Sequence, residues 1–247
     1  MRAILTYHSI DDSGSPVSVG EAALRRQVRW LASGAVRVVG LEEIGALPAD
    51  ANAVALTFDD GFLSFGEKAW PLLKDHGLPV TVFVVTRCAG ATNAWGGRPS
   101  AGIPTLPLLG WDAIGRLADE GVTLGAHGRS HADLRTLASR ALEDEVAGCA
   151  EDLAARTGRR PVAFAYAYGE VSDAAAACAA RAYAVACTTD HRPLRRHEDP
   201  HLLPRLDAYY YRGGGLEAWG SPLFHARTRA RRALRDVRRL AARVPGG

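Results

Sequence analysis

Apolar residues follow two rhythms along this 247-residue chain. Short apolar runs at 4–7, 36–39, 54–58, 80–85, 123–126, 163–166 and 184–187 are too brief for helices and read as buried strands. Between them, segments 21–33, 64–76, 111–120, 139–157 and 172–181 carry helical spacing. The helix from Ser139 shows it best, with Leu142, Val146, Cys149 and Leu153 sharing one face and Gly158 as a stop. Gly77 and Gly121 stop two earlier helices in the same way. Alternating strands and helices predict a mainly parallel sheet with helices outside it. In such folds the working residues gather at the carboxyl ends of the strands.

Composition narrows the picture. A hydrophobic content of 47% supports one large core, and no apolar run reaches membrane-spanning length. The start of the chain enters a strand pattern at once, without the apolar stretch and cleavage site of a signal peptide, which predicts a cytoplasmic protein. Cys88, Cys149, Cys178 and Cys187 form no close pair, so they read as small buried apolar residues rather than a disulfide framework or zinc ribbon. The net charge of +3 divides unevenly: +7 from Ala226 onward and −4 before it. We therefore expect a catalytic barrel over 1–225 and a basic amphipathic helix over 226–247. In that helix Ala230, Ala233, Leu234, Val237, Leu240, Ala241 and Val244 share a face and arginines crowd the other. Such a helix packs on its own domain, docks on a partner, or lies on the inner face of a membrane as a peripheral contact. Nucleic acid is not an expected partner, since no aromatic platform or reading motif accompanies the arginines.

The chemistry concentrates in three segments. Thr57-Phe58-Asp59-Asp60-Gly61 places two adjacent carboxylates at a strand end, where mutual repulsion demands a compensating cation or proton. His127-Gly-Arg-Ser-His131 offers two imidazoles four residues apart after another strand. Asp60, His127 and His131 form a set suited to zinc and to other first-row divalent metals. Asp59 is then free to act as base toward the attacking water. In Phe164-Ala-Tyr-Ala-Tyr-Gly169, the backbone N–H of Tyr168 is positioned to bind a developing oxyanion. His8 directly follows the first strand, and the long Gly- and Pro-rich excursion over 87–110, with Trp95, reads as a substrate-covering loop on the same rim.

In order and spacing these segments resemble the first three motifs of the polysaccharide deacetylases, the metal-dependent carbohydrate esterases of family four with the NodB-homology domain. The resemblance extends from about Ile4 to Asp207 and includes Tyr7-His8-Ser9-Ile10, Leu109-Gly-Trp111, Gly125-Ala-His127 and Leu203-Pro-Arg205-Leu206. It implies an α/β fold, a distorted (β/α) barrel of seven or eight strands, and removal of an N-acetyl group from an amino sugar. It also implies Asp59 as base and Asp60, His127 and His131 as ligands of a divalent metal, zinc first, with nickel, cobalt or manganese as alternatives.

Departures from the family pattern carry information too. Gly128 stands where the family usually has Ser or Thr, with Ser130 nearby. Ala165 and Ala167 stand where its third motif carries Arg and Pro. The missing arginine normally orients the aspartate base, and Arg205 is the expected substitute. The usual C-terminal histidine motif is absent, whereas one branch of the family uses the histidine of an early Tyr-His pair as general acid. His8 is therefore the expected acid, with His191, His197 and His201 as rivals. Two other functions compete with deacetylation of a sugar: hydrolysis of a non-sugar amide or formamide at the same metal centre, and catalytically silent sugar binding.

Overall fold

The computed structural model describes residues 1–243, with side chains through Val237; the expected apolar position Val244 and the side chains of Leu240 and Ala241 lie outside the described residues. Its strands are β1 (Arg2–Tyr7), β2 (Arg37–Val39), β3 (Ala53–Phe58), β4 (Thr81–Val84), β5 (Thr123–Ala126), β6 (Ala163–Ala165), β7 (Val185–Cys187) and β8 (Leu206–Asp207). They form one curled sheet in the order β7-β6-β5-β4-β3-β1-β8, with β2 also paired to β3. Every strand pairing is parallel. β2 and β4 share one edge of β3, where Val38 pairs with Val54 and Val82 with Phe58. That shared edge distorts the barrel.

The two ends of the sheet meet through one bent segment. Leu203 N–H donates to Ala186 O at 2.9 Å and Thr188 N–H to Leu203 O at 2.8 Å, holding the approach to β8 against β7. β8 then pairs with β1. All seven expected strands are present. The eighth is two residues long, too short to leave a periodic signal.

Helices α1 (Glu21–Ala32), α2 (Leu41–Ile44), α3 (Trp70–Asp75), α4 (Trp111–Asp119), α5 (Ser139–Thr157), α6 (Asp173–Ala182) and α7 (Pro222–Arg243) accompany the sheet. The buried face of α5 includes Leu142, Val146, Cys149 and Leu153, and Gly158 ends it at φ 69°. Each such buried Leu or Val contributes about 1.5–3 kcal/mol. The helix expected over 64–76 is present as a continuous helical run over 63–75, but it holds a π-type turn at Phe65–Ala69 before the regular α3 from Trp70. Pro71 explains this, because it offers no N–H to continue a regular ladder from the preceding turn.

Strand alternation sorts the side chains into two cores. Ala3, Leu5 and Tyr7 of β1, with Val54, Leu56 and Phe58 of β3, join the layer that includes the helices' buried faces. Ile4, Ala53, Ala55, Phe83, Ala163, Ala165, Cys187 and Leu203 belong to the interior cluster. Inward residues are mostly small, which leaves room for Phe83 and for one buried guanidinium described below. Arg2 also lies buried, donating to the carbonyls of Ile44, Gly45, Leu47, Arg195 and Arg196. The four cysteines are unpaired; three are buried and Cys88 is partly exposed.

α7 begins four residues before the expected boundary, with proline as its first residue, where no N–H is required. Phe224 and Thr228 are buried, and Thr228 hydroxyl donates to Phe224 O and meets Tyr211 Oη at 2.9 Å. Arg232 pairs with Asp190, and Arg235 faces Asp207. Leu223, Leu234 and Val237 are exposed instead. The helix thus docks through a mixed, arginine-bearing side and turns its apolar stripe outward. Among the described residues no helix is long and apolar enough to cross a membrane.

The interior packing makes a test. A Cβ on Gly125 would stand 2.3 Å from Phe83 Cδ1. Gly125→Ala should therefore destabilise the fold by about 1–3 kcal/mol through overpacking. Adding Phe83→Leu should restore part of that loss in urea denaturation; an unrelieved double variant would show that the clash lies elsewhere.

Candidate active site

Strand ends bring the expected residues together. His8 follows β1, Asp59 and Asp60 follow β3, His127 follows β5, and Tyr168 follows β6 by three positions. All line one cleft of about 310 Å³, together with His131, Asn93 and Trp95. Asp59 and His127 continue the inward phase of their strands, as the pleat requires.

Asp60, His127 and His131 form the cation-ready corner. Their ligand atoms lie within 4.8 Å of one another, and all three residues are buried. His127 Nε2 and His131 Nε2 stand 3.3 Å and 3.2 Å from Asp60 Oδ1, yet that buried oxygen has no hydrogen-bond partner. His127 Nδ1 lies 2.7 Å from Ala165 O, so Nδ1 carries the proton and Nε2 presents its lone pair. Lone pairs facing a buried carboxylate oxygen repel unless a cation sits among them. The residues present therefore fit a divalent ion, which two imidazoles and a carboxylate suit.

Backbone strain accompanies this corner. Asp60 (φ 68°), His131 (φ 61°) and Tyr168 (φ 59°) are the non-glycine residues with left-handed backbone among the described residues. All three belong to the cleft, and such conformations persist only where surroundings enforce them. Glu145 of α5 does part of the enforcing. Its buried carboxylate accepts the N–H groups of Arg129 and Ser130 at 2.8 Å and 2.9 Å and the Ser130 hydroxyl at 2.6 Å. It thereby clamps the turn that joins the two histidines. Gly128 follows from the same geometry: it sits at φ 81°, and a Cβ there would come 3.1 Å from Glu145 Oε2. Trp95 stacks on the His131 ring at 4.3 Å and Tyr168 meets it edge-on at 4.5 Å. The loop bearing Trp95 is pinned by Asn93, which donates to Pro104 O and accepts from Leu106 N–H.

Asp59 is compensated differently. Arg205, fully buried, grips it with both prongs, Nη1 to Oδ1 at 2.6 Å and Nη2 to Oδ2 at 2.7 Å. Its remaining donors reach Thr188 O at 3.0 Å and Thr57 Oγ1 at 3.3 Å. Burial by itself raises the Asp59 pKa, but Arg205, then His127 and His8, hold it below the ordinary carboxylate value. The guanidinium absent at Ala165 thus arrives from the opposite end of the sheet.

His8 Nε2 lies 3.8 Å from Asp59 Oδ2, and its ring is partly exposed in the cleft. The rival histidines stand elsewhere. His191 is buried, its pKa pushed down to about 3 by burial and by Arg235 and Arg231, and its Nδ1 accepts the Asp207 N–H. His201 Nε2 lies 3.0 Å from Tyr183 O, and His197 is exposed outside the cleft. Sequence reasoning missed Glu145, Asn93, Asp207 and Arg235 as residues of this region. Glu145 left one trace, a carboxylate on the apolar face of its helix.

A curled parallel sheet carries at its carboxyl rim a buried Asp-His-His corner that fits a divalent ion and a second, arginine-held carboxylate. Comparison with known proteins places the family and the fold. The sequence description of the family "Polysaccharide deacetylase" matches residues 46–208. The chain is 24% identical over 150 residues to YxkH of Bacillus subtilis, covering 58% of this chain and 48% of that one. It is 33% identical over 83 residues to the poly-beta-1,6-N-acetyl-D-glucosamine N-deacetylase of Escherichia coli K12, covering 30% and 12% respectively. The chain thus spans less than half the length of these curated relatives. Among solved structures, IcaB from Ammonifex degensii superposes with a TM-score of 0.70 at 21% identity, over 92% of this chain and 96% of that one. Streptococcus pyogenes deacetylase PplD, solved with acetate, gives 0.70 at 22% identity, over 83% and 91%. The chain belongs to the polysaccharide deacetylase family.

The buried ion pair yields the test for this region. Arg205→Met should destabilise the protein by about 3–5 kcal/mol by stranding a buried carboxylate. Combining it with Asp59→Asn should lose clearly less than the two single losses added together. Urea denaturation of the four proteins reads this directly, and additive losses would mean that the two side chains are not coupled.

Proposed function

We propose that this protein is a divalent-metal-dependent hydrolase that removes the N-acetyl group from an amino sugar. The observation that carries the reading is the division of labour between two adjacent carboxylates: Asp60 faces the Nε2 atoms of two imidazoles, while Asp59 is held ionised by Arg205 and open to the cleft. A divalent ion held by Asp60, His127 and His131, zinc before nickel, cobalt or manganese, would polarise the acetyl carbonyl and make water more acidic there. Asp59 takes a proton from the attacking water as its oxygen bonds to the acetyl carbon. Arg205 fixes the carboxylate in place for that transfer. The Tyr168 backbone N–H binds the oxyanion as it develops. When the carbon–nitrogen bond breaks, His8 protonates the departing amine, and acetate leaves. The deacetylases among the relatives and structural neighbours, including the Escherichia coli enzyme named for a poly-N-acetylglucosamine, support the substrate class.

Asp59→Asn should lower acetate release from N-acetylated sugars by a factor on the order of 10²–10⁴, the usual contribution of a general base, and His8→Ala should cost a similar factor. Chelator treatment should abolish release, with recovery on adding back zinc. Undiminished release by Asp59→Asn would sink the mechanism. Metal-free protein that binds sugars without cleaving them would replace it with the silent binding reading, and release confined to small formamides would replace the substrate.

The partner surface follows from α7. Leu223, Leu234 and Val237 form an outward apolar stripe on a helix rich in arginine. That combination suits an anionic lipid surface, with the cleft held near it as a peripheral contact. Co-sedimentation with phosphatidylglycerol vesicles, absent with phosphatidylcholine and lost on Leu234→Glu, is the expected result. Binding to neither vesicle type would remove the membrane from the picture, and equal binding to both would remove the preference for anionic lipid.

A further inference from the structure

α7 brings into the cleft a cation that the reaction above does not use. Arg235 lines the same cleft as His8, Asp59 and Tyr168. Other buried arginines are held by close acceptors: Arg205 donates to Asp59, Thr188 and Thr57, and Arg2 to five carbonyls. Arg235 is not. Its side chain is 18% exposed, and the carboxylate facing it, Asp207 Oδ2, is 3.6 Å away, beyond hydrogen-bond reach. Its guanidinium stands 5.8 Å from the centre of the Tyr210 ring, and Arg231 stands 5.4 Å from the same ring. Asp190, the other carboxylate near the helix, is already taken by Arg192 and Arg232. Arg235 thus faces a single carboxylate out of hydrogen-bond reach beside the reaction centre, and Arg231 stands over the same tyrosine outside the cleft lining.

We infer that Arg235, with Arg231 at its outer edge, forms a subsite for an anionic substituent, a phosphate or a carboxylate, carried by the amino sugar whose acetamide meets Asp59. This deepens the proposed function and rests on it. The guanidinium fork matches both anions in two-pronged geometry. A cleft of about 310 Å³ is at the small end of ligand sites, sized for a single sugar with its substituent rather than a long chain enclosed on all sides. The family match ends at residue 208, so α7 lies outside the matched residues.

The test compares acetate release by the full-length protein from N-acetylglucosamine 1-phosphate, N-acetylmuramic acid and the neutral methyl glycoside of N-acetylglucosamine. The charged sugars should be favoured by about tenfold or more in kcat/KM, mainly through KM, with the preference shrinking as salt rises. The phosphate and carboxylate substrates identify which anion the fork takes. Arg235→Gln should collapse the preference, Arg235→Lys should keep part of it, and Arg231→Gln, at an exposed position, should weaken it. No preference in the wild type, or the same proportional loss on all three sugars in Arg235→Gln, would overturn the subsite and leave Arg235 as a partner of Asp207 alone. Calorimetric titration with N-acetylglucosamine 1-phosphate separates the two readings. Arg235-dependent binding without acetate release from any sugar keeps the subsite and rejects the deacetylase. Release that ignores Arg235, with binding equally indifferent, keeps the deacetylase and rejects the subsite.

Discussion

The buried ion pair between Arg205 and Asp59 is the interaction on which the rest of this structure depends. Two carboxylates cannot sit side by side in a dry interior unless each has its own compensation. Asp59 obtains it from a guanidinium rooted in the segment that closes the sheet, two prongs on the carboxylate and a third donor on Thr188 O. The pair thus ties β3 to the junction of β7 and β8. A hydrophobic pair of equal volume would often serve stability as well or better. Its retention makes sense for a carboxylate that must stay charged and fixed at one place on the rim.

Small residues make that pair possible. Ala53, Ala55, Ala163 and Ala165 point inward from β3 and β6 with Phe83 between them. The Arg205 guanidinium lies 5.6 Å from the Phe83 ring centre, so an aromatic face shields the cation on one side. The backbone carbonyl of Ala165 also accepts the His127 Nδ1 proton. One position therefore serves both halves of the site: its small side chain leaves room for the arginine that holds Asp59, and its carbonyl sets the tautomer of a histidine facing Asp60.

How much of this was legible in the sequence depended on range. The seven principal strands and the α5 helix follow from local periodicity, and the Asp59-Asp60, His127 and His131 constellation follows from short motifs at strand ends. Arg205 was reachable only by noticing a gap at Ala165 and asking what could fill it. Glu145 showed as one charged residue on an apolar face. Three features left no usable local trace. The two-residue β8 is too short for a period, the π-type turn before Pro71 depends on a missing donor inside an otherwise helical pattern, and the docking side of α7 is set by tertiary contact. The last reversed expectation, because Phe224, Thr228 and Arg232 make better contacts with the barrel than a stripe of Ala, Leu and Val does.

That reversal links the periphery to the site. An apolar-side docking of α7 would have pointed its arginines to water, where they would affect only the protein's outer field. Docked as it is, the helix sends Arg235 to the cleft and sets Arg232 on Asp190, whose backbone carbonyl accepts the Arg205 N–H. The closing segment therefore carries cationic contacts on both sides, Arg205 inward to Asp59 and Arg232 outward from α7. Displacing the helix would remove a cation from the substrate wall and loosen the strand end that supports Arg205. Charge in this protein works over two ranges: a buried pair fixes where Asp59 stands, and a surface helix outside the family match carries a further cation to the cleft.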